Sequence, residues 1–285
     1  MNDSFSNGIG RRDFLSTSLI VASGLALGDK ALAGQKDPGM PMPNAKPAGP
    51  KLKIAMLVYP RMVLLDLVGP QTVFNIIGSD IYLVAKTLAP VSTDVGIDIA
   101  PDRVFDDCPH DLDVLFVPGG LMGSLAAMQD EATLQFLADR GQTAQYVTSV
   151  CTGALVIGAA GLLKGYRANT HWGVADLLPL LGATLDRSRV VHDRNRMTGG
   201  GVTAGIDFGL TLAAILCGED MAKHAQLIIE YAPEPPFQAG TPEEVGPARM
   251  IEERKRRVWM DGEALRVCEL ASQRLGLPQA LPKKA

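Results

Sequence analysis

Two residues of this chain have chemistry that their surroundings do not explain, a cysteine at position 151 and an aspartate at position 66. Cys151 lies in Val147-Thr-Ser-Val-Cys-Thr-Gly-Ala-Leu-Val156, where an apolar, β-rich run climbs to the cysteine and a helix pattern over 153–163 follows at once. Strand, one residue on a tight turn, then helix is the sequence form of a nucleophile elbow. A helix N-terminus presents unpaired N–H groups and the positive end of the macrodipole, which favours a thiolate there. A free cysteine can equally be a small buried hydrophobe, and spacing alone leaves the two even. Asp66 sits inside Leu64-Leu-Asp-Leu-Val68, where a carboxylate is costly unless it is paired or serves a site. Its plainer role would be the N-cap of the following helix.

Four further positions complete the candidate site. Thr152 follows the cysteine directly and can hydrogen-bond substrate or water. Gly119 and Gly120 follow an apolar run over 114–117, so their N–H groups can approach a ligand closely and serve an oxyanion. His171, beside Trp172, can orient or deprotonate a group, although a histidine so placed is more often structural; it ranks below Asp66. Gly199-Gly-Gly201 lacks the Lys-Ser/Thr of a phosphate loop and is read as a turn.

The elements that must position these residues follow from hydrophobic patterning. Short apolar runs at 52–59, 81–85, 114–117 and 146–150 predict strands, and helical patterns intervene at 71–77, with Pro70 near the first turn, at 131–141 and at 153–163. Beyond the elbow the sequence predicts a short strand over 165–171, a helix to Leu181, an edge strand or hairpin at 189–192 with its turn at 193–196, a glycine-rich bend over 197–201, and helices over 203–216 and 220–231. An extended arm runs over 233–242, and a helical extension over 242–276 follows. Alternating β and α elements with apolar strands give an α/β fold, a mainly parallel, flavodoxin-like sheet sandwiched by helices, with ligands at the carboxyl ends of the strands. Cys151 and the Gly119–Gly120 loop fall at such ends.

Composition narrows the classes. Of 285 residues, 47% are hydrophobic and 20% charged, with a net charge of −4, the profile of an ordinary globular protein with no electrostatic case for a nucleic-acid partner. Four cysteines without CxxC spacing indicate neither a zinc site nor a disulfide framework. Gly10-Arg-Arg-Asp-Phe-Leu15, a moderately apolar run over 16–27 and Ala31-Leu-Ala33 have the order of a twin-arginine export signal, so residues 1–33 are expected to be removed and the product to be periplasmic, with no membrane association afterwards. Residues 34–50 read as a flexible linker. The organisation expected is signal 1–33, linker 34–50, catalytic domain 51–241 and helical extension 242–285.

Val150-Cys-Thr-Gly-Ala154, Ala159-Ala-Gly-Leu-Leu-Lys-Gly-Tyr-Arg-Ala168, Thr170-His-Trp172 and Pro118-Gly-Gly120 resemble the ThiJ/PfpI superfamily, related in fold to class I glutamine amidotransferases. Within it, Leu65-Asp-Leu-Val-Gly-Pro70, Asp193-Arg-Asn-Arg196, Gly199-Gly-Gly-Val-Thr-Ala-Gly-Ile-Asp207 and Glu230-Tyr-Ala-Pro-Glu-Pro-Pro-Phe237 resemble isonitrile hydratases. The similarity runs from about Leu52 to about Pro242. It implies a cofactor-free, metal-free mechanism in which Cys151 attacks the terminal carbon of an isonitrile, Asp66 acts as general acid and base, and Thr152 and Gly120 position the intermediate. It also implies a homodimer acting on a small-molecule substrate. Protease-type relatives carry His after the cysteine where this chain has Thr152, and deglycase-type relatives carry Glu where it has Asp66. Related transcription regulators add a helix-turn-helix region that the residues after Pro233 do not supply. The alternatives are a glyoxalase or deglycase acting on dicarbonyls and a non-catalytic redox or stress sensor built on Cys151.

Overall fold

Runs of apolar residues buried on both faces form the central sheet of the computed structural model, which describes residues 51–277; the expected signal and linker lie outside those residues. The chain opens with β1 (Lys53–Leu57), α1 (Leu64–Ile76) and β2 (Asp80–Ala85), continues through the small strands β3 (Val91–Ser92), β4 (Asp98–Ile99) and β5 (Arg103–Val104), and reaches β6 (Val114–Val117). Helices α2 (Leu121–Ala127) and α3 (Glu131–Thr143) lead to β7 (Tyr146–Val150) and α4 (Gly153–Ala159). After β8 (Arg167–Ala168), a 3-10 helix (Ala175–Leu181) and β9 (Thr184–Leu185) come β10 (Val190–Asp193), β11 (Arg196–Gly199), α5 (Ala204–Cys217), α6 (Glu219–Ile228) and α7 (Pro242–Arg274), which is broken at Gly246.

The main sheet has the order β10-β11-β7-β6-β1-β2-β5. Every pairing in it is parallel except β10 with β11, an antiparallel edge. β6 is buried throughout and β1 and β7 nearly so, as strands covered on both faces must be. Two sets of helices cover the sheet: α1, α5 and α6 pack together, as do α2, α3, α4, the 3-10 helix and α7. Phe208 of α5 meets Phe74 of α1 edge-on at 6.2 Å and Phe116 of β6 at 5.6 Å, which ties the first set to the sheet.

The strands at 114–117 and 146–150 have the expected bounds. Several other elements differ for local reasons. The first helix begins at Leu64 rather than Gln71, so Pro70 lies inside it and has no N–H to return to the Asp66 carbonyl. Val63 supplies no side-chain cap; instead the Leu64 N–H donates to Asp94 Oδ1 at 2.9 Å, a cap delivered from a distant loop. The expected bend over 197–201 is largely a strand: Met197, Thr198 and Gly199 pair in parallel with Thr148, Ser149 and Val150. The strand expected over 165–171 is confined to Arg167–Ala168, because Asn169 and Thr170 turn to side-chain hydrogen bonds with Thr198 and Cys151. The helix begun at Gly153 stops at Ala159, short of Leu163.

Candidate active site

The site is set at the carboxyl ends of β6 and β7. Cys151 follows β7 with φ of 55°, a left-handed conformation that a non-glycine residue holds only when the surroundings impose it. Three bonds do so: the Cys151 N–H donates to the Gly199 carbonyl at 3.1 Å, the Cys151 carbonyl receives the Thr170 hydroxyl at 2.7 Å, and the Ala154 N–H closes the turn on that same carbonyl. Gly153, the first residue of α4, packs so tightly on the chain after β6 that a methyl group there would lie 2.3 Å from the Val117 carbonyl oxygen. The expected elbow is present, and its cysteine is 4% exposed.

Asp66 occupies the first turn of α1 and is 0% exposed. It is not the N-cap, which is Val63. Its Oδ2 accepts the Gly119 N–H at 2.8 Å, while Oδ1 has no hydrogen-bond partner among the described residues. The carboxyl interacts with the Cys151 thiol. Burial pushes the carboxyl up to about 7, against the opposing pull of the Gly119 N–H and the thiol. Burial, and then the facing Asp66 charge, hold the Cys151 thiol well above the ordinary range; the backbone and hydroxyl of Thr152 pull the other way and are outweighed. Burial and the facing carboxyl thus work against the thiolate that the helix terminus favours, and the two groups titrate as a coupled pair.

Gly119 is where the parts meet. A methyl group at its Cα would lie 2.6 Å from the Thr152 nitrogen, 2.7 Å from Asp66 Oδ2 and 2.7 Å from Cys151 Cβ, so no larger residue fits between the nucleophile and the carboxylate. Gly120 has φ of 125° and backs onto the Arg61–Val63 main chain. Both N–H groups of this loop have acceptors inside the protein: Gly119 gives its own to Asp66, and Gly120 gives its own to Thr152 Oγ1 at 2.9 Å. The oxyanion role expected of these two glycines is thus replaced by a scaffolding one.

Thr152 is 2% exposed and belongs to a buried hydroxyl chain that sequence patterning did not reveal. Its Oγ1 is 2.8 Å from Ser124 Oγ; Ser124 is 3.0 Å from the Tyr59 hydroxyl, which donates to the Pro118 carbonyl at 2.5 Å. Ser124 lies on α2, a helix with no distinct periodic signal, and Tyr59 just past β1. The one available hint was two polar groups in otherwise apolar segments.

His171 stands apart from the Cys151–Asp66 pair. Its Nδ1 accepts the Gly173 N–H at 3.1 Å and its ring leans on Trp172 at 5.3 Å. Burial first, then Arg257 and Arg254, lower it to about 4, which leaves a neutral imidazole. Arg254 and Arg257 of α7 stand 5.1 and 5.2 Å from the Trp172 ring centre, and Arg254 also donates to the Gly173 carbonyl at 2.7 Å. The plain structural role fits His171; the neighbouring Thr170, through its bond to the Cys151 carbonyl, is the residue of this loop that touches the elbow.

With this geometry in view, the match to a family model is informative. The model of the DJ-1/PfpI family matches residues 52–215, more than half of the chain, with Asp66, Gly119, Gly120, Cys151, Thr152 and His171 inside it. This chain belongs to the DJ-1/PfpI family. Isonitrile hydratase of Pseudomonas putida is 50% identical to this DJ-1/PfpI protein over 207 residues, 72% of this chain and 90% of the relative. The crystal structure of a ThiJ/PfpI family protein from Pseudomonas syringae superposes with a TM-score of 0.76 at 48% identity, covering 84% of this chain and 98% of that one. The HTH-type transcriptional regulator GbdR of Pseudomonas aeruginosa is 27% identical over 196 residues, 65% of this chain but only 51% of the regulator.

Proposed function

We propose that this DJ-1/PfpI protein hydrates isonitriles to N-substituted formamides, with Cys151 as nucleophile and Asp66 as the proton carrier. The observation that carries the proposal is the pairing of a buried thiol with a carboxyl raised to about 7 in a loop whose own N–H groups are already engaged. Addition to an isonitrile builds charge on carbon and calls for a proton delivered there. The 50% identity to an isonitrile hydratase supports the same choice.

The reactive form of the pair holds one proton. Asp66 takes the proton of Cys151 as the sulfur forms its bond to the terminal carbon of R–N≡C, and then gives that proton to the same carbon, leaving the thioimidate R–N=CH–S. A water molecule gives a proton to Asp66 as its oxygen adds to that carbon, and Asp66 passes that proton to the nitrogen. The resulting R–NH–CH(OH)–S intermediate expels the sulfur as its hydroxyl proton returns to the thiol through Asp66, which frees R–NH–CHO. One water is consumed and the pair is restored. Burial and the thiol form also weigh against the redox-sensor alternative, since oxidation follows thiolate character and exposure.

Export by the twin-arginine route and assembly as a homodimer belong to the same proposal; the first is supported by the order of the motifs in residues 1–33, the second by family resemblance. The deciding experiment is formamide production from cyclohexyl isonitrile by the protein, beside Cys151→Ala and Asp66→Asn. Turnover by the parent and its loss in both variants supports the mechanism; a folded, reduced parent that makes no formamide ends it.

A further inference from the structure

Every buried residue of α7 lies from Ala264 onward, so only the second half of this helix is packed on the core. The first half carries Arg254, Arg257 and Asp261, spaced to share one face. Asp261 Oδ2 accepts from Arg254 at 3.1 Å, and Oδ1 accepts from Arg257 at 3.1 Å. Both guanidiniums stand against the Trp172 ring. Arg254 also donates to the Gly173 carbonyl at 2.7 Å and to the Trp172 carbonyl at 3.4 Å. Arg257 lies so near Gly173 that a methyl group on that Cα would fall 2.5 Å from its guanidinium. The Arg257 and Asp261 side chains are only 16% and 26% exposed, so water screens this pair less than an ordinary surface one. Two arginines and one carboxylate thus form a clamp on Trp172 and Gly173.

We propose that Arg254 and Arg257 are positioning residues for Cys151, fixing the loop over 169–174 so that the Thr170 hydroxyl stays on the Cys151 carbonyl. This loop joins β8 to the 3-10 helix and belongs to neither helix nor strand. One hydroxyl bond from it, 2.7 Å long, is among the three that hold Cys151 at φ of 55°. A left-handed cysteine persists only where its surroundings over-determine it, so that bond is useful only if the loop is itself fixed. On one side of Thr170, Asn169 fixes it: its N–H donates to Thr198 Oγ1 at 2.8 Å, and its side chain donates to the Ser188 carbonyl at 2.6 Å. On the other side the clamp does so, through Gly173, whose N–H returns to His171 Nδ1 at 3.1 Å. Arginine suits the task because its planar guanidinium can stack on an indole and donate in its own plane at once, which lysine cannot. The first half of α7 is thereby a strut for the elbow.

The inference rests on Cys151 as the nucleophile proposed above, and its main test needs no substrate. Hydrogen–deuterium exchange, followed by mass spectrometry of peptides spanning 150–155, reads the Cys151 and Ala154 amides that close the elbow. Replacing Arg254→Leu and Arg257→Leu together should speed exchange there by at least about tenfold, the loss of one hydrogen bond to a charged group. Exchange in β6, over 114–117, should stay unchanged. In a Thr170→Val background the same pair of substitutions should add nothing, because the bond that the clamp protects is already gone. Arg254→Lys keeps the charge but not the planar donor, and it decides the matter if the double variant does not fold. With cyclohexyl isonitrile as probe, kcat should fall while KM holds. Unchanged exchange over 150–155, an equal acceleration with Val at position 170 or in β6, or a change confined to KM overturns the proposal. A parent that makes no formamide ends the hydratase reading and leaves the exchange test standing.

Discussion

The Gly119 N–H donates to Asp66 Oδ2 over 2.8 Å and thereby joins the loop after β6 to the first turn of α1. The same Gly119 lies against Cys151 Cβ and the Thr152 nitrogen, so one backbone unit sets the distance between carboxylate and nucleophile. Gly119→Ala forces apart atoms that lie 2.6–2.7 Å from the added methyl. The expected result is a loss of about 1–3 kcal/mol in stability by overpacking and a fall of about 100-fold or more in turnover from misplacement of the pair. Denaturant unfolding and formamide assays on one preparation check both; a variant of near-normal rate would remove Gly119 from this role.

Asp66→Asn separates catalysis from stability. The carboxyl titrates near 7 in the folded protein and near 3.8 as an ordinary aspartate, so the fold disfavours its charged form. Stability is therefore lost as pH rises from about 4 to about 7, and the cost is fully present above that range. An amide oxygen can still accept the Gly119 N–H and carries no charge. The variant is expected to be more stable than the parent at pH 8 by on the order of 2–4 kcal/mol, with the difference vanishing at pH 4, while turnover falls by about 100-fold to 10,000-fold. Thermal unfolding at the two pH values, with the assay alongside, tests the sign.

Much of this arrangement was legible in the sequence, and the illegible part has physical causes. Asp66 and Cys151 stood out because each interrupts an apolar pattern with a reactive group, and the strands over 114–117 and 146–150 are continuous buried runs that periodicity reads well. The start of α1 was misplaced because its cap is Asp94, thirty residues downstream, and no local signal announces a cap brought by tertiary structure. β11 was read as a bend because its glycine and threonine suit a turn, yet they pair with β7 where larger side chains would crowd Phe208 and Val150. The glycines of the oxyanion expectation were correctly placed, but hydrogen-bond partners 32 and 53 residues away cannot be read from spacing. The opposition that the thiolate meets was hidden for a similar reason, since the helix terminus is a local feature and the facing carboxylate is not.

The coupled pair fixes the pH dependence of kcat/KM. Below about 7 both Asp66 and Cys151 hold protons, and the carboxyl cannot receive the one the thiol must lose. Between that point and the raised titration of the thiol, the pair holds the single proton the reaction uses. The rate is expected to climb through an acid limb near pH 7 and to show no alkaline limb until beyond the ordinary thiol range. A profile measured from pH 5 to 9, corrected for spontaneous isonitrile hydrolysis, tests this; a rate that falls between pH 6 and 8 contradicts it.

His171 is expected to be dispensable for proton transfer. With its imidazole lowered to about 4 by burial and by Arg257 and Arg254, it is neutral throughout the working range and its Nδ1 is occupied by the Gly173 N–H. His171→Gln should keep turnover within about tenfold of the parent, less than the loss of a general acid or base, and should leave the acid limb near pH 7 in place. Proton NMR titration of the parent should show no His171 transition between pH 5.5 and 8. Removing Arg254 should move that transition upward, because a repelling charge has gone.

Export is testable independently of the chemistry. Arg11 and Arg12 precede the apolar run over 16–27 and Ala31-Leu-Ala33, and an Ala-x-Ala end predicts cleavage near Ala33. A bacterium with a twin-arginine translocase that expresses the chain is expected to hold a shortened product in its periplasm, with an N-terminus close to Gly34. Arg11→Lys with Arg12→Lys preserves the positive charge but changes the pair, so the full-length chain should stay in the cytoplasm. The site provides the physical reason to expect tolerance of this route: a thiol buried to 4% exposure and opposed by a carboxylate reacts slowly with oxidants and disulfides. The periplasmic product should therefore retain a free Cys151 by mass spectrometry. A chain found unprocessed and cytoplasmic with both arginines intact would refute the export assignment and leave the catalytic one standing.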